Sequence, residues 1–336
     1  MKISILDCTL RDGGYVNNWE FDTQTARAIM RGLYQSGVRY IEIGILGSNA
    51  TPGKQTKFNG FSEMEPLLEG REPDCRYAVM FTQENAGSFA FPPRGEKTPD
   101  CIRLAYFRTT WREALEKGAE LKALGYEVFL QAMATFMYTE NELNEMLDAV
   151  NAAAPAAFYM VDSFSTMYPA EVVKMRTQIL SHLSPEIAFG FHAHNNIQMA
   201  YANAQEFLRC AEKRPLFIDG SIFGMGRGGG NVPTELLMEH LNRICGASYD
   251  IAAVLRLYQT YLEPIYRQYG WGYTVPYYLT AAKHINSAYG WYFTSHGITD
   301  ADELSWALDQ VPAELRYALK PAVANEIIER LHHAHE

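Results

Sequence analysis

Thiols, basic clusters and long apolar runs are all scarce in this chain. Its 336 residues hold five cysteines (Cys8, Cys75, Cys101, Cys210 and Cys245), and no two stand in Cys-x-x-Cys spacing. An odd count without that spacing argues against a disulfide framework or a thiolate zinc site and reads as reduced thiols. Lysine and arginine total 29 against 39 acidic residues, a formal charge of −10, with no run of four basic residues. That balance disfavours a nucleic-acid binder. An anionic substrate would need a local cation, because the global field opposes it. No stretch approaches the roughly 20 apolar residues of a membrane span. The opening MKISILDCTLRDGG meets charge too early for a signal peptide. The expectation is a soluble, cytoplasmic protein with neither a nucleic-acid nor a membrane partner.

What is present is an alternation of short β-rich runs with helical patterns. Eight runs read as strands: Ile3 to Leu6, Tyr40 to Leu46, Arg76 to Phe81, Cys101 to Ala105, Glu127 to Met133, Ala156 to Val161, Ile187 to Phe191 and Leu216 to Ile222. Most are nearly continuous in apolar character, as strands buried on both faces should be. Between them, Thr23 to Ser36 places Ala26, Ile29, Met30 and Leu33 at helical spacing. Trp111 to Leu124, Glu140 to Ala153, Ala170 to His182 and Gln198 to Cys210 behave similarly. Gly37 and Gly125 stand where helices should end. The stretch with Pro92, Pro93 and Pro99 has room for a short helix only. Eight βα repeats predict an α/β fold, a (β/α)8 TIM barrel. Residues 1–246 are expected to form this catalytic domain and 247–336 a C-terminal helical extension. Ile251 to Tyr266 reads as one helix. Tyr273, Tyr277, Tyr278, Tyr289 and Tyr292 read as core or subunit-interface rings, so a homo-oligomer, a dimer, is expected. The end, with His332, His333 and His335, reads as solvated.

A barrel of this type carries its site at the C-terminal ends of the strands. The polar residues there are Arg11 and Asp12 after strand one, Glu42 on two, Arg103 on four, Gln131 on five, Asp162 and Ser163 after six, His192 and His194 on seven, and Gly224 to Asn231 after eight. Residues i and i+2 of a strand point the same way, so His192 and His194 can reach one metal. The competing reading is a hydrogen-bonded polar cluster without metal. Asp12 is the best carboxylate to join them, and Asn231, lying between strands seven and one, could add an amide oxygen. This N/O set suits Mg²⁺, Mn²⁺, Co²⁺ or Zn²⁺ with positions open to substrate. Arg11 reads as a fixed cation for a developing enolate oxygen, or else as a surface ion pair. Glu42, Arg103, Gln131 and Ser163 are candidate substrate contacts. The glycine-rich run lacks a P-loop ending and reads as a tight, mobile loop over the mouth, with Pro233 in the first turn of the next helix.

Taken together, Thr9-Leu10-Arg11-Asp12-Gly13, His192-Ala193-His194-Asn195 and the glycine-rich run ending at Asn231 resemble the DRE-TIM metallolyases, the HMGL-like family, over residues 3 to about 245. Val161-Asp162-Ser163, Gly226 to Asn231 and the helical end are similar to the 4-hydroxy-2-oxovalerate aldolase branch. The resemblance implies a metal, Mn²⁺ or Mg²⁺ first, on Asp12, His192 and His194. It also implies Arg11 at a pyruvate enolate, Ser163 in the substrate pocket, and an aldehyde dehydrogenase as partner. It implies cleavage of a 4-hydroxy-2-oxo acid to pyruvate and an aldehyde. Three departures matter. Gly14-Tyr15 stand where the acetyl-CoA-condensing members have Glu-Gln. No cysteine lies in Gly224 to Asn231, unlike the hydroxymethylglutaryl-CoA lyases. Tyr15 stands where the aldolases carry a catalytic His. A phenol with an ordinary pKa near ~10 is a weak base at neutral pH, which leaves Tyr15 as a hydrogen-bond donor and His284 as the replacement base. The alternatives are an acyl-CoA-dependent enzyme of the same family and a noncatalytic metal-binding homologue. An amidohydrolase ranks lower, because those barrels place His-x-His on the first strand.

Overall fold

A strand buried on both faces must supply apolar side chains to a core on each side. The eight apolar runs do so here. In the computed structural model, which describes residues 3–209 and 214–334, they form β1 (Ile3–Asp7), β2 (Tyr40–Leu46), β3 (Arg76–Thr82), β4 (Cys101–Tyr106), β5 (Glu127–Ala132), β6 (Ala157–Asp162), β7 (Ala188–Ala193) and β8 (Leu216–Gly220). All pair in parallel. β1 pairs with β8 from Ile3 opposite Leu216 and with β2 at Leu6 opposite Tyr40, which closes the ring. A two-residue strand, Lys57–Phe58, adds to the outer end of β2 and was not expected from the sequence.

Alternation along each strand sorts the residues into two cores. Ile5, Ile41, Val79, Leu104, Leu130, Met160, Phe189 and Ile218 point outward to the helices. Leu6, Ala78, Cys101, Phe129, Tyr159 and Phe217 point inward and, with Tyr40, plug the barrel. The Phe129 ring lies 6.3 Å from Tyr40, 6.0 Å from Tyr159 and 5.1 Å from Phe217 between centroids. Polar residues of the same strands stand on this aromatic floor: Glu42, Arg103, Gln131 and Asp219, all buried. The polar layer is therefore one step along β2, β4, β5 and β8 from the apolar one.

The helices Thr23–Gln35, Trp111–Ala123, Glu140–Ala153 and Pro169–His182 fall where periodicity placed them. Gly37 and Gly125 follow the first two with φ of 102° and 93°, the left-handed region that favours glycine. Between β3 and β4 only a 3₁₀ turn, Gln83–Ser88, forms ahead of the prolines. Pro233 stands just before its helix, Thr234–Cys245, rather than inside its first turn. The helix between β7 and β8 is shorter than expected, Ala200–Leu208. Cys210, like His335, lies outside the described residues. Cys8, Cys75 and Cys101 are buried free thiols and Cys245 is an exposed one.

Beyond the barrel the described chain is helical. The single helix expected over Ile251 to Tyr266 is divided into Ile251–Leu257, a π-helical turn Tyr258–Leu262, and Glu263–Tyr269. Pro264 accounts for the division: it has no N–H to give to the preceding turn. Val254, Leu257 and Leu262 pack into the barrel's outer core. Ile285, Tyr289, Phe293, Leu304, Leu308 and Ile327 build a separate one. Among the described residues no helix is long and apolar enough to cross a membrane.

Gly190 on β7 faces the Tyr159 ring so closely that a methyl group there would overlap it. Gly190→Ala is expected to destabilise the fold by about 1–3 kcal/mol through overpacking, measured by urea unfolding. A change below a few tenths of a kcal/mol would contradict this packing.

Candidate metal centre

The turn after β1 is built by its own polar residues. Thr9 donates its N–H to Asp7 Oδ1 at 3.0 Å, and the N–H groups of Arg11 and Asp12 both return to the Cys8 carbonyl, at 3.1 and 2.8 Å. The Thr9 hydroxyl accepts from Ile222 N–H at 2.9 Å, which ties this turn to the one after β8. Asp12 is thereby aimed at the barrel axis. His192 reaches the same point from β7. His194 reaches it from just past that strand, where it bridges to Asn231 and so fixes the end of the glycine-rich loop. Ligand atoms of Asp12, His192 and His194 all lie within 4.8 Å of one another, and all three residues are buried. A side chain at Gly226 would intrude: its Cβ would stand 2.7 Å from Asp12 Oδ2.

Beneath the three residues runs a line of alternating charge. His192 Nδ1 is 2.8 Å from Asp219 Oδ2. Asp219 Oδ2 also accepts from Arg103 Nη2, and Arg103 Nη1 donates to Glu42 Oε2 at 2.9 Å. Glu42 Oε2 accepts in turn from Arg11 Nε at 2.7 Å, and Arg11 Nη1 donates to Asp12. Arg103 Nη2 also reaches Gln131 Oε1 at 3.1 Å, and its guanidinium lies 4.8 Å above the Tyr159 ring. Glu42, Arg103 and Gln131, expected as substrate contacts, are thus placed in the buried layer under the cluster and tied to one another.

The electrostatics fit a cation. Burial alone would raise the Asp12 carboxyl. The Arg11 guanidinium first, with Arg227 further off, outweighs burial and holds Asp12 well below the usual carboxylate range. Burial pushes the His194 imidazole down to about 3 against the pull of Asp12, so it is neutral, as a ligand must be. Its Nδ1 is buried without a hydrogen-bond partner, 3.8 Å from Asp12 Oδ2. Asn231 Oδ1 is another buried atom without a partner, while Asn231 Nδ2 donates to Asp12 Oδ2 at 2.8 Å. Orphaned acceptors facing an ionised carboxylate are what a bound cation satisfies. In this amide orientation Asn231 acts on Asp12 through nitrogen, and the oxygen expected as a ligand is the atom left over.

Residues 104–259 match the HMGL-like family model. Over that stretch, just under half of its length, the chain is similar to the HMGL-like family. A 4-hydroxy-2-oxovalerate aldolase of Bacillus cereus is 28% identical over 256 residues, 74% of this chain and 72% of its own. An oxaloacetate decarboxylase of Mycobacterium tuberculosis is 27% identical over 248 residues, 71% of this chain and 70% of its own. Among solved structures, the N-terminal domain of a candidate aldolase from Bacteroides vulgatus superposes with a TM-score of 0.73. It is 26% identical, over 88% of this chain and 97% of that one.

Within this barrel the remaining nominated residues lie further out. Ser163 is buried at the end of β6, its hydroxyl accepting from Ala134 N–H at 2.9 Å. Tyr15, 43% exposed, sits on the short helix Gly14–Asn17 with its ring 4.6 Å from Trp19. His284 is exposed, 6.1 Å from the Phe136 ring between centroids, and lines a different cavity of about 320 Å³ with Glu171 and Lys174. The structure does not bring it to Asp12. Sequence reasoning missed two residues. Asp219 orients His192, and its signal was a lone carboxylate inside the apolar run Leu216 to Ile222. Arg227 donates its N–H to Asp12 Oδ2 at 3.3 Å and its Nη2 to the Ser163 carbonyl at 3.3 Å. Its only signal was to be the one charged side chain in a glycine-rich loop.

Asp219→Asn removes the charge that orients His192. The expected result is a 10–100-fold loss of divalent-metal affinity by calorimetry. Unchanged affinity would contradict the role assigned to Asp219.

Proposed function

We propose that this protein is a divalent-metal-dependent aldolase that cleaves, or forms, a 4-hydroxy-2-oxo acid by way of a pyruvate enolate, with an aldehyde as the second product. The observation that carries the reading is the buried Asp12–His192–His194 cluster with Arg11 beside it. A divalent ion held there, Mn²⁺ or Mg²⁺ before Co²⁺ or Zn²⁺, would supply Lewis acidity to the 2-oxo group. Arg11 has spent Nε on Glu42 and Nη1 on Asp12, while its Nη2 is buried and unpartnered. That atom is available to stabilise the oxyanion as charge develops. The names of the 27–28% identical relatives support small 2-oxo acids as the substrate class.

The 4-hydroxyl proton needs an acceptor. Of the two nominated residues, Tyr15 stands nearer the mouth, 5.7 Å from the Arg227 guanidinium, while His284 faces its separate cavity. The proposal therefore gives Tyr15 the hydroxyl end of the substrate as a hydrogen-bond partner, with water taking the proton. Ser163 lines the pocket through its place at the end of β6. Residues 1–246 are proposed as the catalytic domain and 247–336 as an extension that closes over it. Trp271 Nε1 donates to the Phe223 carbonyl at 3.0 Å, and Ser287 packs against Gly228. The exposed rings of Tyr266, Tyr269, Tyr273 and Tyr278 support a homo-oligomer.

The test is pyruvate release by metal-stripped protein, with each metal added back, on a panel of 4-hydroxy-2-oxo acids. Metal-restored release, reduced at least 100-fold in Asp12→Ala, is the expected result. No release from any member despite bound metal would refute the reading. Carbon dioxide with no aldehyde would move it to decarboxylation.

A further inference from the structure

The three arginines at this site differ in their partners. Arg11 is paired with Asp12 and Glu42, and Arg103 with Glu42 and Asp219. Arg227 has no carboxylate partner among the described residues. It reaches across the mouth from the loop after β8 to the Ser163 carbonyl at the end of β6, a neutral acceptor at 3.3 Å. Its ring neighbours are Tyr15 at 5.7 Å and Tyr277, and the carboxylate that feels its charge, Asp12, lies beyond ion-pair distance and is already paired with Arg11. It is only partly buried and stands over the Asp12 end of the cluster.

The charge balance gives this isolation a meaning. Three carboxylates (Asp12, Glu42 and Asp219) face three guanidiniums (Arg11, Arg103 and Arg227). The next acids out are engaged elsewhere: Asp7 with Thr9 and Thr234, and Asp162 with the N–H groups of Thr166 and Met167. A divalent ion would leave the site with two positive charges in excess. The carboxylate of a 2-oxo acid offsets one of them. Buried charge is costly unless paired, so the remaining charge calls for a second anionic group on the same ligand. A planar guanidinium is built to take such a group with two parallel hydrogen bonds. One remaining charge matches a carboxylate rather than a phosphate monoester, which brings close to two.

We infer that Arg227 is a specificity-determining residue that binds a distal carboxylate, so that the substrate is a 2-oxo diacid and the aldehyde product itself bears a carboxylate. This rests on the 2-oxo acid chemistry proposed above. In cleavage, the 4-hydroxyl proton passes to water at the mouth, the bond between carbons three and four breaks with its electron pair staying on carbon three as the pyruvate enolate, that carbon then takes a proton from water to give pyruvate, and carbon four leaves as the aldehyde with its carboxylate still on Arg227.

The test separates binding from turnover. Manganese-loaded wild type and Arg227→Gln are titrated calorimetrically with unreactive 2-oxo acids in matched pairs, 2-oxoglutarate against 2-oxovalerate and 2-oxoadipate against 2-oxohexanoate. In the wild type at least one diacid should bind about 10–100-fold tighter than its partner, the range of a charge-assisted hydrogen bond. In Arg227→Gln that preference should fall below about threefold. Arg227→Lys, which keeps the charge and loses the fork, should retain part of it. The inference is overturned if the wild type shows no diacid preference, if the preference survives in Arg227→Gln, or if that variant loses diacid and monoacid equally, as a purely structural strap would. Pyruvate release reads the aldolase claim. Turnover without diacid preference sinks the role of Arg227 and leaves the aldolase reading. Arg227-dependent preference without turnover on any 4-hydroxy-2-oxo acid does the reverse. No binding of any 2-oxo acid contradicts both.

Discussion

Asp219 and Glu42 each hold two cationic or imidazole neighbours on a single oxygen, and Arg103 lies between them, wholly buried. From Asp219 to Asp12 the charges alternate without a gap, and His192 hydrogen-bonds the end of the line at Asp219. Each ion is expensive to take out of water, and this order makes the arrangement sustainable, because every charge is next to one of opposite sign. It also makes the arrangement stiff. Turning His192 would strand Asp219, and moving Arg11 would strand Glu42 and Asp12 together. Two of the three candidate metal ligands and the candidate oxyanion cation are thus oriented by one network resting on the aromatic floor of Tyr40, Phe129, Tyr159 and Phe217. Arg103 is the residue through which its two halves communicate.

Barrel geometry is what permits that line. Strands of period two give each inward position a fixed height, so one step along β2, β4, β5 and β8 carries the interior from rings to charges, and β7 adds His192 above them. The strands and most helices were legible in the sequence because burial on both faces and the 3.6-residue period leave direct marks. The convergence of Asp12, His192 and His194 was legible for a similar reason: two histidines at i and i+2, at the end of an apolar run, share one face of the strand and converge on one point. Orientation was not legible. Glu42, Arg103 and Gln131 were correctly placed on inward strands, but nothing in their identity says whether an inward charge meets a substrate or a second inward charge. That depends on register between strands remote in sequence. Arg227 was obscured in a different way, since a run of glycines draws attention to backbone freedom and away from the one charged side chain within it.

The helical end adds closure. Trp271 fastens to Phe223, and Ser287 packs against Gly228. The loop that carries Arg227 is therefore held from outside by the helices and from inside by Asp12 and Asn196, whose Oδ1 accepts from Gly229 N–H at 2.7 Å. A cation fixed in that way can discriminate between ligands because it need not be ordered when one arrives.

The central claim is that Asp12, His192 and His194 hold a divalent ion to which a 2-oxo acid has access. Pulsed electron paramagnetic resonance on protein titrated with Mn²⁺ tests it most directly. The account predicts one tightly bound ion per chain, nitrogen couplings from two imidazoles, loss of one coupling in each of His192→Ala and His194→Ala, and a changed spectrum on adding pyruvate. Stoichiometric Mn²⁺ without imidazole coupling, or a spectrum indifferent to both substitutions and to pyruvate, would contradict it.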